Sequence, residues 1–213
     1  MTAVTVTAAQ PRAPSRISRT LHPPMLLAAQ HLVDRLRHPR SRADEVLAVR
    51  RRLVAQPLPS NASEEEFALA RDLRRLREEL TDALRGVRAC HGCARGRSLP
   101  HGRWNGGHCC GGRTEDIFTD DELGALRLSG TTALQLSPPR SDHSGCAFRG
   151  PEGCSLDIAD RPNLCVRYIC RELEEELVAG GAASVAKKLA SDLGTTFARF
   201  TRLRARARAS GGA

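Results

Sequence analysis

The chain has 213 residues, of which 40% are hydrophobic, 3% aromatic and 27% charged, and its formal net charge is +9. No stretch approaches the ~18–20 consecutive apolar residues needed to cross a bilayer. The opening MTAVTVTAAQPRAPSRISRT has no charged segment followed by an apolar one, so no transmembrane span and no secretory signal is expected. The eight cysteines are therefore expected in a cytoplasmic, reducing setting, where metal or redox chemistry outweighs a disulfide framework. Arginine outnumbers lysine 31 to 2, which reads as composition bias and carries no functional argument.

Residues 1–22 are rich in Pro, Ser, Thr and Arg without periodicity and are expected to be disordered. A helix is expected from Pro23-Pro24 through Leu26, Leu27, Leu32, Val33 and Leu36, ending at Pro39. Ser41 with Asp44 three residues on predicts a second helix through Val46, Leu47 and Leu53, closed by Pro57 and Pro59. Ser63-Glu64-Glu65-Glu66 is a capping box with an acidic first turn. Leu69, Leu73, Leu76, Leu80, Leu84 and Val87 follow at spacings of three and four, which predicts one apolar helical stripe that delivers the chain to Cys90.

The next stretch is loop-rich, interrupted by Gly92, Gly96, Gly102, Gly106, Gly107, Gly111 and Gly112. Thr119-Asp120-Asp121-Glu122 predicts the start of a short helix over Leu123, Leu126 and Leu128. Pro138-Pro139 and Gly145 mark a further irregular stretch. Pro162 predicts the first turn of a helix that runs through Leu173 and Leu177 to Gly180-Gly181. A last helix is expected over Val185, Leu189, Leu193, Phe197, Phe200 and Leu203, with an Arg-rich end. No alternating run supports a sheet, and no internal repeat is present.

All eight cysteines lie between Cys90 and Cys170. The order is Cys90-x2-Cys93-x15-Cys109-Cys110, a gap of 35 residues, then Cys146-x7-Cys154-x10-Cys165-x4-Cys170. Charge divides the same way: residues 1–89 and 179–213 each carry a net +6, and residues 90–178 a net −3. A glycine-rich segment with so few aromatics buries little apolar surface against roughly 1–2 kcal/mol of backbone entropy per residue. A structural Zn²⁺, worth roughly 10–16 kcal/mol of apparent binding energy, supplies what such a core lacks. The x2 spacing allows two thiolates to converge on one ion, and eight thiolates make two four-coordinate sites possible. The side chains of Cys109 and Cys110 leave the backbone in different directions, which favours their serving different ions and so cross-linking the two halves. The sequential division 90/93/109/110 and 146/154/165/170 stays open.

The segment GCAFRGPEGCSLDIADRPNLCVRYIC resembles the second half of the YkgJ-type cysteine-cluster family, also called the CxxCxxCC family of zinc- or iron-chelating proteins. The matching positions are Cys146, Gly153-Cys154, Ser155-Leu156-Asp157, Arg161-Pro162, Cys165 and Cys170. The first half is similar in its Cys90-x2-Cys93, its Cys-Cys pair and the Thr-Asp-Asp-Glu-Leu start at residues 119–123. It departs in placing 15 residues, including His101 and Trp104, before Cys109 and Cys110. The resemblance covers roughly residues 88–172. It implies metal chelation by Cys90, Cys93, Cys109, Cys110, Cys146, Cys154, Cys165 and Cys170, and brings no defined catalytic activity. Four thiolates suit zinc or an iron–sulfur cluster. The spacing matches neither ferredoxin run, and simple frequency favours zinc. Similar cysteine patterns in flagellin lysine methylases resemble iron–sulfur proteins and keep iron open.

Other residues are read against plainer roles. His91, His101, His108 and His143 lie near the cysteines and are expected to be solvated loop histidines rather than ligands. Arg161 is expected to tie Asp157 or Asp160 and fix the loop before Cys165. Glu172, Glu174, Glu175 and Glu176 read as the solvated face of a helix. Trp104 alone is weak support for stacking on a base. Arg199, Arg202, Arg204, Arg206 and Arg208 read as a cationic helix end that complements the dipole and frays, with phosphate binding as the other use. No Walker loop, dinucleotide fingerprint, GxSxG or HExxH is present.

The expected architecture is mainly α, with an irregular cysteine-rich, metal-bound module framed by N- and C-terminal helices. Its parts are a disordered tail at 1–22, a helical region at 23–89, the cysteine-cluster module at 90–178, and a C-terminal helix with a basic tail at 179–213. The expected function is metal chelation, with zinc before iron, in a bacterial protein with a binding or assembly role. The alternatives are an iron–sulfur redox or transferase enzyme and a nucleic-acid-binding zinc protein that uses the basic flanks.

Overall fold

The computed structural model describes residues 41–58, 60, 62–88, 113–139, 146–150 and 153–210, and these are mainly α-helical. The expected tail and first helix at residues 1–39 lie outside them. Helix α1 spans Arg42–Val54, capped by Ser41, whose hydroxyl accepts from the Asp44 amide at 3.1 Å. Val46, Val49 and Leu53 form its buried side. Helix α2 spans Glu64–Ala83 and opens on the full capping box: the Ser63 hydroxyl accepts from the Glu66 amide, and Glu66 accepts from the Ser63 amide. Leu69, Leu73, Leu76 and Leu80 are buried, as the stripe predicts. The helix stops before Leu84 and the chain turns at Gly86, whose φ of +94° favours glycine. Leu84 and Val87 still pack against the same core from the turn.

A short helix α3 at Thr114–Ile117 precedes α4 at Asp120–Leu128. Thr119 caps α4 by accepting from the Glu122 amide at 3.2 Å. From Glu122 to Leu128 every residue of α4 except Arg127 is buried. A two-residue hairpin pairs β1, Arg149–Gly150, with β2, Gly153–Cys154. A 3₁₀ turn at Ile158–Asp160 leads to α5 at Asn163–Arg167, α6 at Arg171–Ala179 and α7 at Ala183–Ser210.

The single helix expected from Pro162 to Gly180 is therefore two. Tyr168 and Cys170 are extended, with ψ of 108° and 169°. Val166, Tyr168 and Ile169 are poor helix formers, and the break separates the directions of the two pieces. Cys165 packs towards one apolar cluster, while Ile169, Cys170, Leu173 and Leu177 pack towards another.

Those clusters are the two cores of the molecule. The first is made by α2 and α7 with α6: Leu69, Leu73, Leu76, Leu80, Leu173, Leu177, Ala186, Leu193 and Phe200. The second joins α1 to the hairpin region through Val46, Val49, Leu53, Ile117, Phe118, Leu136, Ala147, Phe148 and Leu156. Helix α4 is the wall between them, giving Ala125 and Leu128 to the first and Leu123 and Leu126 to the second.

Candidate metal centre

Cys146 is 7% exposed and opens a tight turn in which the Arg149 amide donates to the Cys146 carbonyl at 2.9 Å. The chain then reverses in the hairpin, with Arg149 opposite Cys154 and the Ser155 amide bonded to the Phe148 carbonyl at 2.8 Å. The reversal brings Cys154 into the same core as Cys146, and the Phe148 amide donates to the Cys146 sulfur. An amide aimed at a cysteine sulfur two residues earlier stabilises a thiolate. The Phe148 and Phe118 rings, 5.0 Å apart between centroids, form the apolar floor.

Helix α1, distant in sequence, fixes this turn. Arg42 donates to the Cys146 carbonyl at 2.9 Å. The Thr114 hydroxyl accepts from the Ala147 amide at 2.9 Å and donates to Glu45. Burial pushes the Cys146 thiol up to about 12, and neighbouring Cys154 adds to the rise, while the Phe148 amide opposes it. Burial therefore favours the neutral thiol of Cys146. A bound metal ion inverts that balance, because a coordinating thiol is deprotonated.

Cys165 lies in the first turn of α5 and, half-buried like Cys154, packs against the second core. Cys170 stands at the start of α6 against the first core. Among the described residues no three His, Cys, Asp or Glu side chains gather around one point. As placed, Cys146, Cys154, Cys165 and Cys170 do not close a four-thiolate site by themselves. Cys90, Cys93, Cys109 and Cys110 lie outside the described residues, as do His91, His101, Trp104, His108 and His143.

Two expectations about arginines change. Arg161 does not tie Asp157 or Asp160. Its Nε donates to the Leu156 carbonyl at 2.9 Å, while buried Asp160 accepts from Thr131 at 2.7 Å. The loop is still clamped, but through a backbone acceptor that no sequence pattern marks. The basic helix end is also not a free fringe. Arg204 is 9% exposed and donates to the Asp120 carbonyl and to Gln56, each at 2.8 Å. Arg208 pairs with Asp121 at 3.1 Å. Gly124 makes this possible, since a Cβ there would lie 1.7 Å from an Arg204 nitrogen. The acidic run of α6 is an exposed face, as expected: Glu175 pairs with Arg171, and Glu176 accepts from the Arg88 amide at 2.7 Å.

The polar node behind Cys165 escaped the sequence reading. Glu122, 3% exposed, accepts from the Asn163 amide at 2.9 Å, the Asn163 side chain at 2.7 Å and the Leu164 amide at 3.3 Å. Arg77, fully buried, donates to Asn163 Oδ1 at 3.1 Å and to the Ala159 carbonyl at 3.0 Å. Burial lowers the Arg77 guanidinium to about 10, opposed by Glu122, and burial likewise raises the Glu122 carboxyl. The available signal was a third acid after a helix cap and an arginine four residues after Leu73 on the buried side of α2. Both patterns also occur on solvated helices.

Comparison with known proteins yields no match to a family model, a curated protein or a solved structure. No described helix is long and apolar enough to cross a membrane.

Proposed function

We propose that this chain is a metal-chelating cysteine-cluster protein whose ions hold the second core together and serve a binding or assembly role. The observation that carries the reading is the hairpin region that packs buried Cys146 and half-buried Cys154 into one core, with the Phe148 amide on the Cys146 sulfur. An apolar floor, a backbone donor to sulfur and two thiols on one core suit a soft divalent ion. The resemblance to the CxxCxxCC family supports the same reading. Since the four described cysteines do not close a site alone, Cys146 and Cys154 would share an ion with cysteines of the 90–110 segment, and Cys165 and Cys170 would do likewise. Zinc fits four thiolates with no redox role. Iron–sulfur chemistry is the alternative that the same ligands allow.

The reading stands or falls on anaerobically purified full-length protein, with zinc, iron and acid-labile sulfide measured on one sample. Colourless protein with one or two zinc per chain is the expected result. Brown protein with matching iron and sulfide would replace zinc by a cluster. Protein free of all three, and unable to take up zinc afterwards, would overturn the proposal.

A further inference from the structure

Helix α5 has only five residues, Asn163–Arg167, too short to sustain itself. Its cap is Pro162, which offers no side-chain hydrogen bond. The two amides that open it, Asn163 and Leu164, instead donate to the two carboxylate oxygens of Glu122, a residue of α4. The next amide, that of Cys165, donates to the Pro162 carbonyl at 3.0 Å. The approach to α5 is fixed as well. Arg77 of α2 holds the Ala159 carbonyl and the Asn163 side chain, and reaches Ser129 at 3.3 Å. Both partners, Glu122 and Arg77, are buried and sit on helices capped by their own sequences.

We infer that Glu122, acting as a cap supplied from another helix, is the positioning residue that presets Cys165 for metal binding. This rests on Cys165 being a metal ligand. The cysteine backbone cannot shift along α5 without breaking the bonds of the two preceding amides to one buried carboxylate. Supporting residues of this kind typically contribute roughly 10–100-fold in metal affinity. The role differs from simple core packing in one measurable way: it acts through Cys165.

The test is a double-mutant cycle on the full-length chain, with wild type, Glu122→Gln, Cys165→Ser and the double variant. Zinc affinity is read by competition with a chromophoric chelator, and the thiolate-to-cobalt charge-transfer band by Co²⁺ titration. Glutamine keeps one acceptor oxygen but turns an amide either towards the Leu164 amide or towards the two Asn163 donors. In the wild-type background Glu122→Gln is expected to lower affinity roughly 10–100-fold and weaken the cobalt band, with helical circular dichroism retained. In the Cys165→Ser background the same change should cost almost nothing further. An equal loss in both backgrounds, or no loss in either, overturns the positioning role. If Cys165→Ser itself leaves zinc affinity and the cobalt band unchanged, the ligand assignment of Cys165 fails and the inference falls with it. Should Glu122→Gln fail to fold, Asn163→Ala runs the same cycle, since it keeps the backbone donor to Glu122 and removes the side-chain link. A several-fold loss confined to the wild-type background supports the role, and equal effects in both backgrounds overturn it.

Discussion

The two cores are built from different materials. The first draws most of its residues from two long helices, α2 with 20 residues and α7 with 28, joined by the short α6. The second collects between one and three side chains each from α1, α3, α4, the segment around Leu136 and the hairpin region around Cys146. Apolar burial contributes about 25 cal/mol per Å² in either place, but the chain ordered to obtain it differs. Helices lay down their apolar stripe through local hydrogen bonds, whereas turns and hairpins must be closed across long loops at an entropic cost. The contrast teaches where the proposed metal ion would be useful: at the second core, where thiolates from separate loops would tie together what periodicity does not.

Removing a thiolate should break this comparison most strongly. Cys154→Ser is expected to release metal, and because a structural zinc contributes on the order of 10 kcal/mol, the second core should open. Amide exchange should then rise at residues 146–150 and 153–167, while the α2 and α7 amides stay protected. Simultaneous loss of protection in α2 and α7 would show that the two cores form one cooperative unit. Cys165→Ser should act in the same direction.

The node between the cores comes next. Glu122→Ala leaves the buried Asn163 amide without its acceptor and should destabilise by about 1–3 kcal/mol, read as a lower urea midpoint. The pH dependence has a definite sign. Burial raises the Glu122 carboxyl, so its native state holds a proton that the unfolded chain has already released. The stability linked to this group is complete below the ordinary glutamate value, about 4.3, and is lost as pH rises through the raised native value. Glu122→Gln should flatten that part of the curve; an unchanged slope would remove Glu122 as its source.

A smaller effect concerns the seam of α7 against α4. Glycine-to-alanine changes inside helices usually stabilise, but Gly124→Ala should destabilise because its Cβ takes the place of the Arg204 guanidinium. The expected cost is about 1–3 kcal/mol, the range of hydrogen bonds from a charged donor. Arg204→Ala should cost about the same, and the double variant little more than either alone. Additive costs would show that the two sites act separately. The smallest effect is expected at Ser63, where alanine removes the capping box of α2 for ~1 kcal/mol and lowers the thermal midpoint without changing metal content.

How much was legible depends on the range of the interaction. The caps at Ser41, Ser63 and Thr119 and the buried leucines of α2 follow from residues three or four apart, and the structure has them where the spacing puts them. The break at residues 168–170 was not legible, because its apolar residues keep a helical period across it. The Arg161 contact, the use of Arg204 and Arg208, and the Glu122–Asn163–Arg77 node were hidden for another reason. Each joins residues far apart in sequence, and nothing local distinguishes a buried arginine from an exposed one.

By itself, then, the sequence determined the helices over 42–54, 64–83, 120–128 and 183–210, the caps at Ser41, Ser63 and Thr119, and the clustering of all eight cysteines between Cys90 and Cys170. Only the tertiary structure decided that α4 stands as a wall between two cores, that Cys165 and Cys170 face different ones, and that Cys154 and Cys146 pack into the same one. The physical reason is the same throughout. Helix formation is governed by hydrogen bonds and side chains within a turn or two, so it is written locally. The buried polar contacts that hold the cysteine turns exist only where distant segments exclude water together, and there an unpaired group is too costly to leave.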